Sequence, residues 1–313
     1  MQTRISLIAL LSAAVFATSA GAESVSSGGL PDYANLRFNY VKQGSFDLLN
    51  LGGAADFRAG PLQFTIDGQT YSFDGGNDVH ALTAKAAYGF ADGFAAYLQA
   101  TYLELNSFDE TIFGIGADYQ NEVFGAGLQY QSFRNNDFFH LTGYYRFNPK
   151  FQQGGTTALA AVSFLEDEEV FTLGADHRNE RFRLTGFTAL SSDSFQDFTA
   201  LGGHYYVTPQ LGVGANVVTF NDALFDDGIY SLDVGYRFID NVTLSAFYAS
   251  EFGNSFGNTD FFGINLTWEL GRDRARVFDR VDMYLRDAVG PIGTLRARDA
   301  FTQVTGPGRF GLF

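Results

Sequence analysis

The stretch that decides the fold lies near the end of the sequence, where residues 261–270 have the sequence FFGINLTWEL. Large apolar side chains alternate there with small or polar ones. Because successive side chains of a β-strand point to opposite sides of the sheet, the alternation predicts a strand with one apolar and one polar face. The apolar face would hold Phe262, Ile264, Leu266, Trp268 and Leu270, and the other face Gly263, Asn265, Thr267 and Glu269.

The same alternation recurs through residues 36–270. Each apolar–polar stretch is about ten residues long and is followed by a short break rich in Gly, Asn or Asp, which is the pattern of strands joined by turns. It predicts thirteen strands, at 80–90, 94–104, 111–119, 123–133, 138–147, 157–165, 170–178, 182–190, 198–207, 210–220, 229–238, 242–250 and 261–270.

Two features favour a closed transmembrane β-barrel over a soluble secreted β-protein, which remains the alternative. Strands of soluble proteins average about five or six residues, whereas a tilted strand needs roughly 9–11 to cross a bilayer. Aromatic residues also gather at strand ends, as they do at the two interfaces of a membrane barrel. Closure leaves no backbone group unpaired in hydrocarbon. The aromatic residues are Tyr88, Phe90, Phe94, Tyr119, Phe133, Phe138, Phe139, Phe147, Tyr205 and Phe238.

The number of strands depends on residues 36–74, which supply either one strand or three. Segments 36–42, 45–51 and 61–66 are partly strand-like, and the dipeptide Asp67-Gly68 is a typical hairpin signal. Because bacterial single-chain barrels have even strand numbers, we predict fourteen strands, with twelve and sixteen as alternatives.

Composition excludes several classes of protein. The 313-residue sequence has no Cys, which excludes a disulfide scaffold and thiolate metal sites. Its formal net charge of −15 argues against nucleic acid as a partner, because phosphate binding needs clustered Lys and Arg. A mean hydropathy of −0.05, without a second long apolar run, excludes a helical membrane protein. A charged fraction of 18% with 16% aromatics argues against disorder.

The two ends of the sequence differ from the repeating region. Residues 1–22 resemble a cleaved signal peptide, with Arg4, an apolar segment and small residues before the cleavage point, although an uncleaved anchor is the alternative. Residues 23–35 are predicted to be a flexible lead. Residues 271–313 are rich in Arg, and 273–288 are predicted to form a short amphipathic helix on a periplasmic tail. This tail either docks on, or partly enters, the acidic barrel, or it is loosely ordered.

With these features the chain resembles Gram-negative outer-membrane β-barrels of the porin type, over the signal peptide and residues 36–270. In the last strand, Gly263, Leu266 and Trp268 resemble the barrel-assembly signal of that class. The resemblance implies passive diffusion of small hydrophilic solutes or ions, without a cofactor. It implies contacts with outer-membrane lipid, lipopolysaccharide and the barrel-assembly machinery, and by analogy a homotrimer. A structural or adhesive surface barrel with a filled lumen is the alternative.

Charged residues on the predicted inner faces are candidates for lining the pore. Rings of charge set ion selectivity through the local field. Four arginines among them would either line one wall of a constriction or pair with Asp176, Asp233 and Glu269. The pore-lining candidates are Lys85, Asp118, Arg146, Asp176, Arg178, Arg183, Asp233, Arg237 and Glu269.

The breaks between strands fall into two alternating sets, of which the one assigned to the outer side is longer on average and more acidic, as expected for such barrels. Its acidic runs, at 166–169 and at Asp226-Asp227, would either hold divalent cations next to lipopolysaccharide or form a solvated face. The four histidines, His80, His140, His177 and His204, belong to no motif that supplies a nucleophile, a base and an orienting group, so an enzyme is not expected.

Overall fold

The computed structural model describes residues 33–271, except for 44–45, 74–77, 92, 106–107, 122, 134–135, 148–154, 166–167, 180, 192–196, 221–226, 240–241 and 254–259. The described residues form one closed barrel of sixteen antiparallel strands. Every strand pairs with its neighbours in the sequence, and β1 pairs with β16 to close the ring. The all-β barrel predicted from the alternation is therefore confirmed. The predicted signal peptide and tail lie outside the described residues.

The strands are 9–14 residues long, the length range needed to cross a bilayer at a tilt. They are β1 Tyr33–Gln43, β2 Phe46–Ala59, β3 Leu62–Phe73, β4 Asp78–Ala91, β5 Phe94–Leu105, β6 Phe108–Gln120, β7 Phe124–Phe133, β8 Asn136–Phe147, β9 Gly155–Leu165, β10 Glu168–Arg178, β11 Phe182–Ser191, β12 Phe198–Tyr206, β13 Leu211–Phe220, β14 Asp227–Ile239, β15 Val242–Phe252 and β16 Asp260–Gly271. No helix of this described part is long and apolar enough to cross a membrane.

The thirteen predicted strands correspond to β4–β16, but the predicted total of fourteen is wrong. Residues 33–73 form three strands, which gives sixteen, one of the alternatives. The expected hairpin at Asp67-Gly68 is wrong as well, because both residues lie within β3 and pair with β2. The chain turns instead at Gly60, whose φ of 61° is in the left-handed region that glycine adopts without strain.

The two faces of the strands differ in exposure as the alternation predicts. In β14, Leu232 is 57% exposed and the neighbouring Ser231 only 1%, because they point to opposite sides of the barrel wall. Large apolar side chains, such as Leu98, Phe113 and Leu173, stand exposed all round the outside. A water-soluble monomer does not present so extensive an apolar surface, and a lipid bilayer covers it.

Aromatic side chains form runs near both ends of the barrel. We call the end where β1 begins and β16 finishes the terminal end, because Tyr33 and Gly271 are paired there, and the opposite end the far end. At the terminal end, Phe94 and Tyr119 have ring centroids 4.4 Å apart, and Tyr119 lies 5.2 Å from Phe124. These rings on β5, β6 and β7 confirm part of the aromatic girdle expected from the sequence.

Connection lengths show the predicted asymmetry on only one part of the barrel. At the far end, β1–β2, β5–β6, β7–β8 and β9–β10 are joined by two residues each. The longest far-end connections, 192–197, 221–226 and 253–259, all follow β11 in the sequence. From β1 to β10, the far-end connections are therefore on average no longer than those at the terminal end.

Candidate pore wall

The inner face of the barrel is built from side chains that lie flat along the wall. Gly116, Gly125 and Gly263 lie on the inner face, and an aromatic ring from the neighbouring strand extends over each of them. A Cβ at any of these glycines would overlap the ring. Glycine at these positions therefore gives a long side chain of the next strand room to lie tangentially instead of projecting into the lumen. The pairs are Tyr97 over Gly116, Tyr144 over Gly125 and Phe247 over Gly263.

Lys85 of β4 uses this arrangement to reach across a whole strand. Its ammonium lies 3.5 Å from the centroid of the Tyr97 ring on β5, a cation–π contact. The same Nζ is 3.6 Å from Oδ2 of Asp118 on β6. The structure thus brings together two sequence candidates, Lys85 and Asp118, that lie on strands that are not paired with each other.

A second bridge of the same kind joins β1 to β3 and was missed by sequence reasoning. Arg37 Nη2 lies 3.2 Å from Asp67 Oδ2, with the guanidinium extended over Gly52 of the strand between. The sequence prediction gave residues 36–74 a single strand, so no register could place Arg37 near Asp67. Both residues face inward and add a charge of each sign to the wall.

A buried polar belt runs from β10 to β14. Arg183 Nε donates to Asp176 Oδ1 at 2.8 Å, and their side chains are only 4% and 3% exposed. Arg183 is also the register partner of His204 on β12. The interpretation that inner arginines pair with inner acids therefore holds for Arg183.

The belt continues across Gly214 of β13. His204 Nε2 lies 3.0 Å from Asp233 Oδ2, and Asn216 Nδ2 donates to Asp233 Oδ1 at 3.3 Å. A Cβ at Gly214 would overlap both His204 and Asp233, so this glycine permits their contact. From the sequence alone, His204 is interpreted as an isolated histidine. The signal that could have identified its contact with Asp233 is an inner-face glycine with polar residues at the matching positions of both flanking strands.

The remaining candidates lie at the terminal end. Arg146 stacks on Tyr144, with 4.7 Å between the guanidinium carbon and the ring centroid, and donates to its hydroxyl at 3.4 Å. Arg178 pairs with Arg183 in the register, but its side chain is outside what the structure describes. Arg237 is partnered in register by Thr243, and Glu269 by Asn35. Arg146, Arg178, Arg183 and Arg237 each lie within three residues of the terminal-end limit of their strands, and their lining of a pore stays a prediction.

The three residues that resemble an assembly signal occupy both faces of β16. Gly263 lies on the inner face beneath Phe247, while Leu266 and Trp268 fall on the outer face and pair with Leu244 and Val242 of β15. Their role in assembly stays a prediction.

The histidines pair locally with hydroxyl groups or a carboxylate. His140 Nδ1 lies 2.8 Å from Ser163 Oγ, but both residues are buried on the inner face, away from lipid. His80 and His177 contact Thr70 and Thr156 at 3.0 and 2.8 Å. In the part of the chain that the structure describes, no group of three or more His, Asp or Glu residues could hold a metal ion. Part of the acidic run 166–169, and Asp226, lie outside the described residues.

Comparison with known proteins supports the fold. No protein-family model matches the chain, and no curated protein matches its sequence. Solved porins do match. Pseudomonas aeruginosa OpdL has 11% sequence identity and a TM-score of 0.54, over 77% of this chain and 98% of its own. P. aeruginosa OpdQ has 10% identity and a TM-score of 0.53, over 76% and 98%.

A third match comes from a different organism. A triple mutant of the Rhodopseudomonas blastica porin has 13% identity and a TM-score of 0.52, over 76% of this chain and 98% of its own. The resemblance to porin-type barrels stated above is therefore confirmed at the level of the fold. Identities this low carry no information about individual residues.

Proposed function

We propose that this protein is an outer-membrane, porin-like channel through which small hydrophilic solutes or ions diffuse passively. The observation that carries the proposal is a closed ring of sixteen strands with an apolar outside and a polar inside. Barrels of 16–18 strands enclose an aqueous channel, because their circumference exceeds what wall side chains can fill. Size exclusion and the field of the wall charges act on the solute, with no cofactor and no turnover.

The signal peptide predicted from the sequence supports export, and the terminal end would face the periplasm. In this orientation the far end faces outward, embedded in lipid and lipopolysaccharide after insertion by the barrel-assembly machinery. A homotrimer is proposed by analogy with general porins alone. We also propose that acidic far-end residues hold divalent cations. In that case a chelator should lower the thermal stability of the barrel.

The far end supports a preference for cations. Most charged residues of the described far-end strand segments are acidic; Lys42 is basic, and the acidic ones include Asp47, Asp78, Glu104, Asp109, Glu110, Asp137, Glu169, Glu251 and Asp260. Negative charge around a pore mouth raises the local concentration of cations and lowers that of anions. Ions that enter from outside reach the terminal-end arginines only after they have passed the acidic far end, where cations are favoured.

Planar-bilayer recording tests the proposal. We expect discrete current steps in KCl and, under a salt gradient, a reversal potential that indicates preference for K⁺. The double variant Asp109→Asn/Glu110→Gln should move the reversal potential towards zero, while Gln210→Ala at the terminal end should leave it unchanged. Absence of current from a correctly folded barrel would contradict the channel and favour a surface barrel with a filled lumen.

A further inference from the structure

The described ion pairs of the inner wall fall into two groups that differ in exposure. In the group on β1–β6, the paired side chains are 11–26% exposed. In the group on β10–β14, no paired side chain is more than 4% exposed. Because all of these side chains face inward, an ion in the lumen can touch the first group but not the second. The first group is Arg37–Asp67 and Lys85–Asp118, and the second is Arg183–Asp176 and His204–Asp233.

The group on β10–β14 lies in the layer of side-chain atoms closest to the backbone. A Cβ added to Gly214 would overlap both His204 and Asp233, so their contact occupies the space directly above this glycine. Arg183 bonds to Asp176 through Nε, the guanidinium nitrogen nearest to its own backbone. The charges of this group are therefore enclosed within the wall.

The pair Lys85–Asp118 on β4 and β6 lies one layer closer to the lumen. Between these strands, the Tyr97 ring of β5 extends over Gly116 and is itself only 3% exposed. The Lys85 ammonium rests on this ring, 3.5 Å from its centroid, and from there reaches Asp118. The ring thus separates the ammonium from the backbone, and the ammonium covers the ring on the lumen side.

The pair Arg37–Asp67 on β1 and β3 is also raised above the backbone. Nε and Nη2 of Arg37 lie 3.6 Å from the place that a Cβ on Gly52 would take, which is an ordinary van der Waals contact. The guanidinium therefore lies above the layer of Cβ atoms, whereas the contact over Gly214 lies within it. Glycine in the middle strand permits both bridges, but only the one over Gly52 leaves its charges within reach of the lumen.

We propose that Arg37, Asp67, Lys85 and Asp118 determine the ion selectivity of the lumen, while the pairs on β10–β14 stabilise the wall without acting on the permeating ion. The inference deepens the proposed function and rests on it for every effect on current. Two opposite charges in contact cancel at a distance, so a pair acts on an ion that comes close to one of its members. Each exposed pair offers one charge of each sign, so the loss of either member should tip the balance between cations and anions.

Cysteine labelling tests the reach of each group independently of conductance, since the chain has no native Cys. Asp118→Cys and Asp233→Cys are matched variants, because each replaces the acid of one inner pair. A water-soluble thiol reagent is applied to the folded barrel in detergent, and Gln210→Cys in the exposed turn after β12 gives the rate at an open position. We expect labelling at 118 to be about tenfold faster than at 233, in line with side-chain exposures of 18% and 1%.

A second variant guards against an Asp233→Cys chain that fails to fold. Ser231→Cys is nearly isosteric, and Ser231 is 1% exposed and shares the amide of Asn216 with Asp233. It should be labelled as slowly as position 233. Labelling at 231 or 233 as fast as at 118 would overturn the proposal, and so would equally slow labelling at all three.

Reversal potentials test the effect on selectivity. In about 1 M KCl the Debye length is ~3 Å, so only charges that an ion can touch still act on it. Under a salt gradient near this concentration, Asp118→Asn should move the reversal potential towards preference for Cl⁻ and Lys85→Gln towards K⁺, with no shift for Asp233→Asn. Equal shifts from Asp118→Asn and Asp233→Asn, or none from Asp118→Asn and Lys85→Gln, would overturn the proposal. If no variant conducts, the proposed channel fails, while the labelling still decides which pairs the lumen reaches.

Discussion

A glycine on the inner face and one on the outer face of the barrel can differ widely in how closely neighbouring side chains cover them. On the outer face, a Cβ added to Gly143 would meet nothing closer than a backbone oxygen at 3.8 Å. On the inner face, a Cβ added to Gly116 or Gly263 would overlap an aromatic ring of the neighbouring strand. The outer side chains diverge into lipid, whereas the inner ones converge on a concave surface and lie over one another. Leucines of the neighbouring strand also come within 3.0–3.2 Å of a Cβ added to the outer glycines Gly53, Gly186 and Gly203, so coupling between strands is tighter at Gly116 and Gly263 but is not confined to the inner face.

The largest effect should come from breaking a buried pair on the inner face. Asp176→Ala removes the carboxylate 2.8 Å from the buried Arg183 guanidinium, which should lower the free energy of unfolding by about 3–5 kcal/mol. The matched control is Asp47→Ala at the far end, where the partner Lys42 is 55% exposed and the loss should stay below ~1 kcal/mol. Urea unfolding in lipid vesicles measures both. Equal losses would abolish the distinction between the two faces.

A charge on the outer face should have the next largest effect. Leu232→Arg puts a guanidinium against lipid near the middle of β14, and arginine at the bilayer midplane costs about 2–4 kcal/mol. Leu232→Ala serves as the control for lost volume. The same vesicle unfolding assay compares them, and an arginine variant as stable as the alanine variant would mean that this face does not meet hydrocarbon.

The most specific comparison of the two faces is to replace one glycine on each face with alanine, which adds a single methyl group, and to compare the stability of the variants. Gly116→Ala forces Tyr97 off the wall and disturbs the contact with Lys85, at an expected cost of about 1–3 kcal/mol. Gly143→Ala on the outer face should change stability by no more than ~0.5 kcal/mol. Each variant is heated, and the gel shift between the folded and the unfolded barrel is followed as a function of temperature. The melting curves then give the difference in stability between the two variants. Identical melting of the two variants would contradict the idea of flat-lying inner side chains.

The sequence predicts those strands in which large and small residues alternate strictly. β14 and β16 are of this kind, and their faces were assigned correctly residue by residue. β2 hides its alternation, because Gly52, Gly53, Ala54 and Ala55 place small residues on both faces. There, Arg37 extends over Gly52 from inside and Leu36 contacts Gly53 from outside, so neighbouring strands supply the bulk that the sequence of β2 lacks.

The candidate site was less predictable than the fold. Alternation identifies which residues face inward, and it placed Lys85, Asp118, Arg183 and Asp233 in the candidate set. It does not give their partners, since Lys85–Asp118 and His204–Asp233 each span two strand spacings. Such pairs depend on the register, that is, on which residues of neighbouring strands lie opposite each other. The sequence of a single strand does not specify this alignment, because hydrogen bonds between strands set it.

One measurement tests most directly the claim that alternate residues of each strand face lipid and lumen. Single Cys residues at 230, 231, 232, 233, 234 and 236 of β14 would carry nitroxide spin labels in lipid vesicles, and collision with dissolved oxygen would be measured at each. High oxygen accessibility at Tyr230, Leu232, Val234 and Tyr236, with low values at Ser231 and Asp233, is the predicted result. Uniform accessibility along the strand, or the reverse alternation, would contradict a lipid-facing barrel.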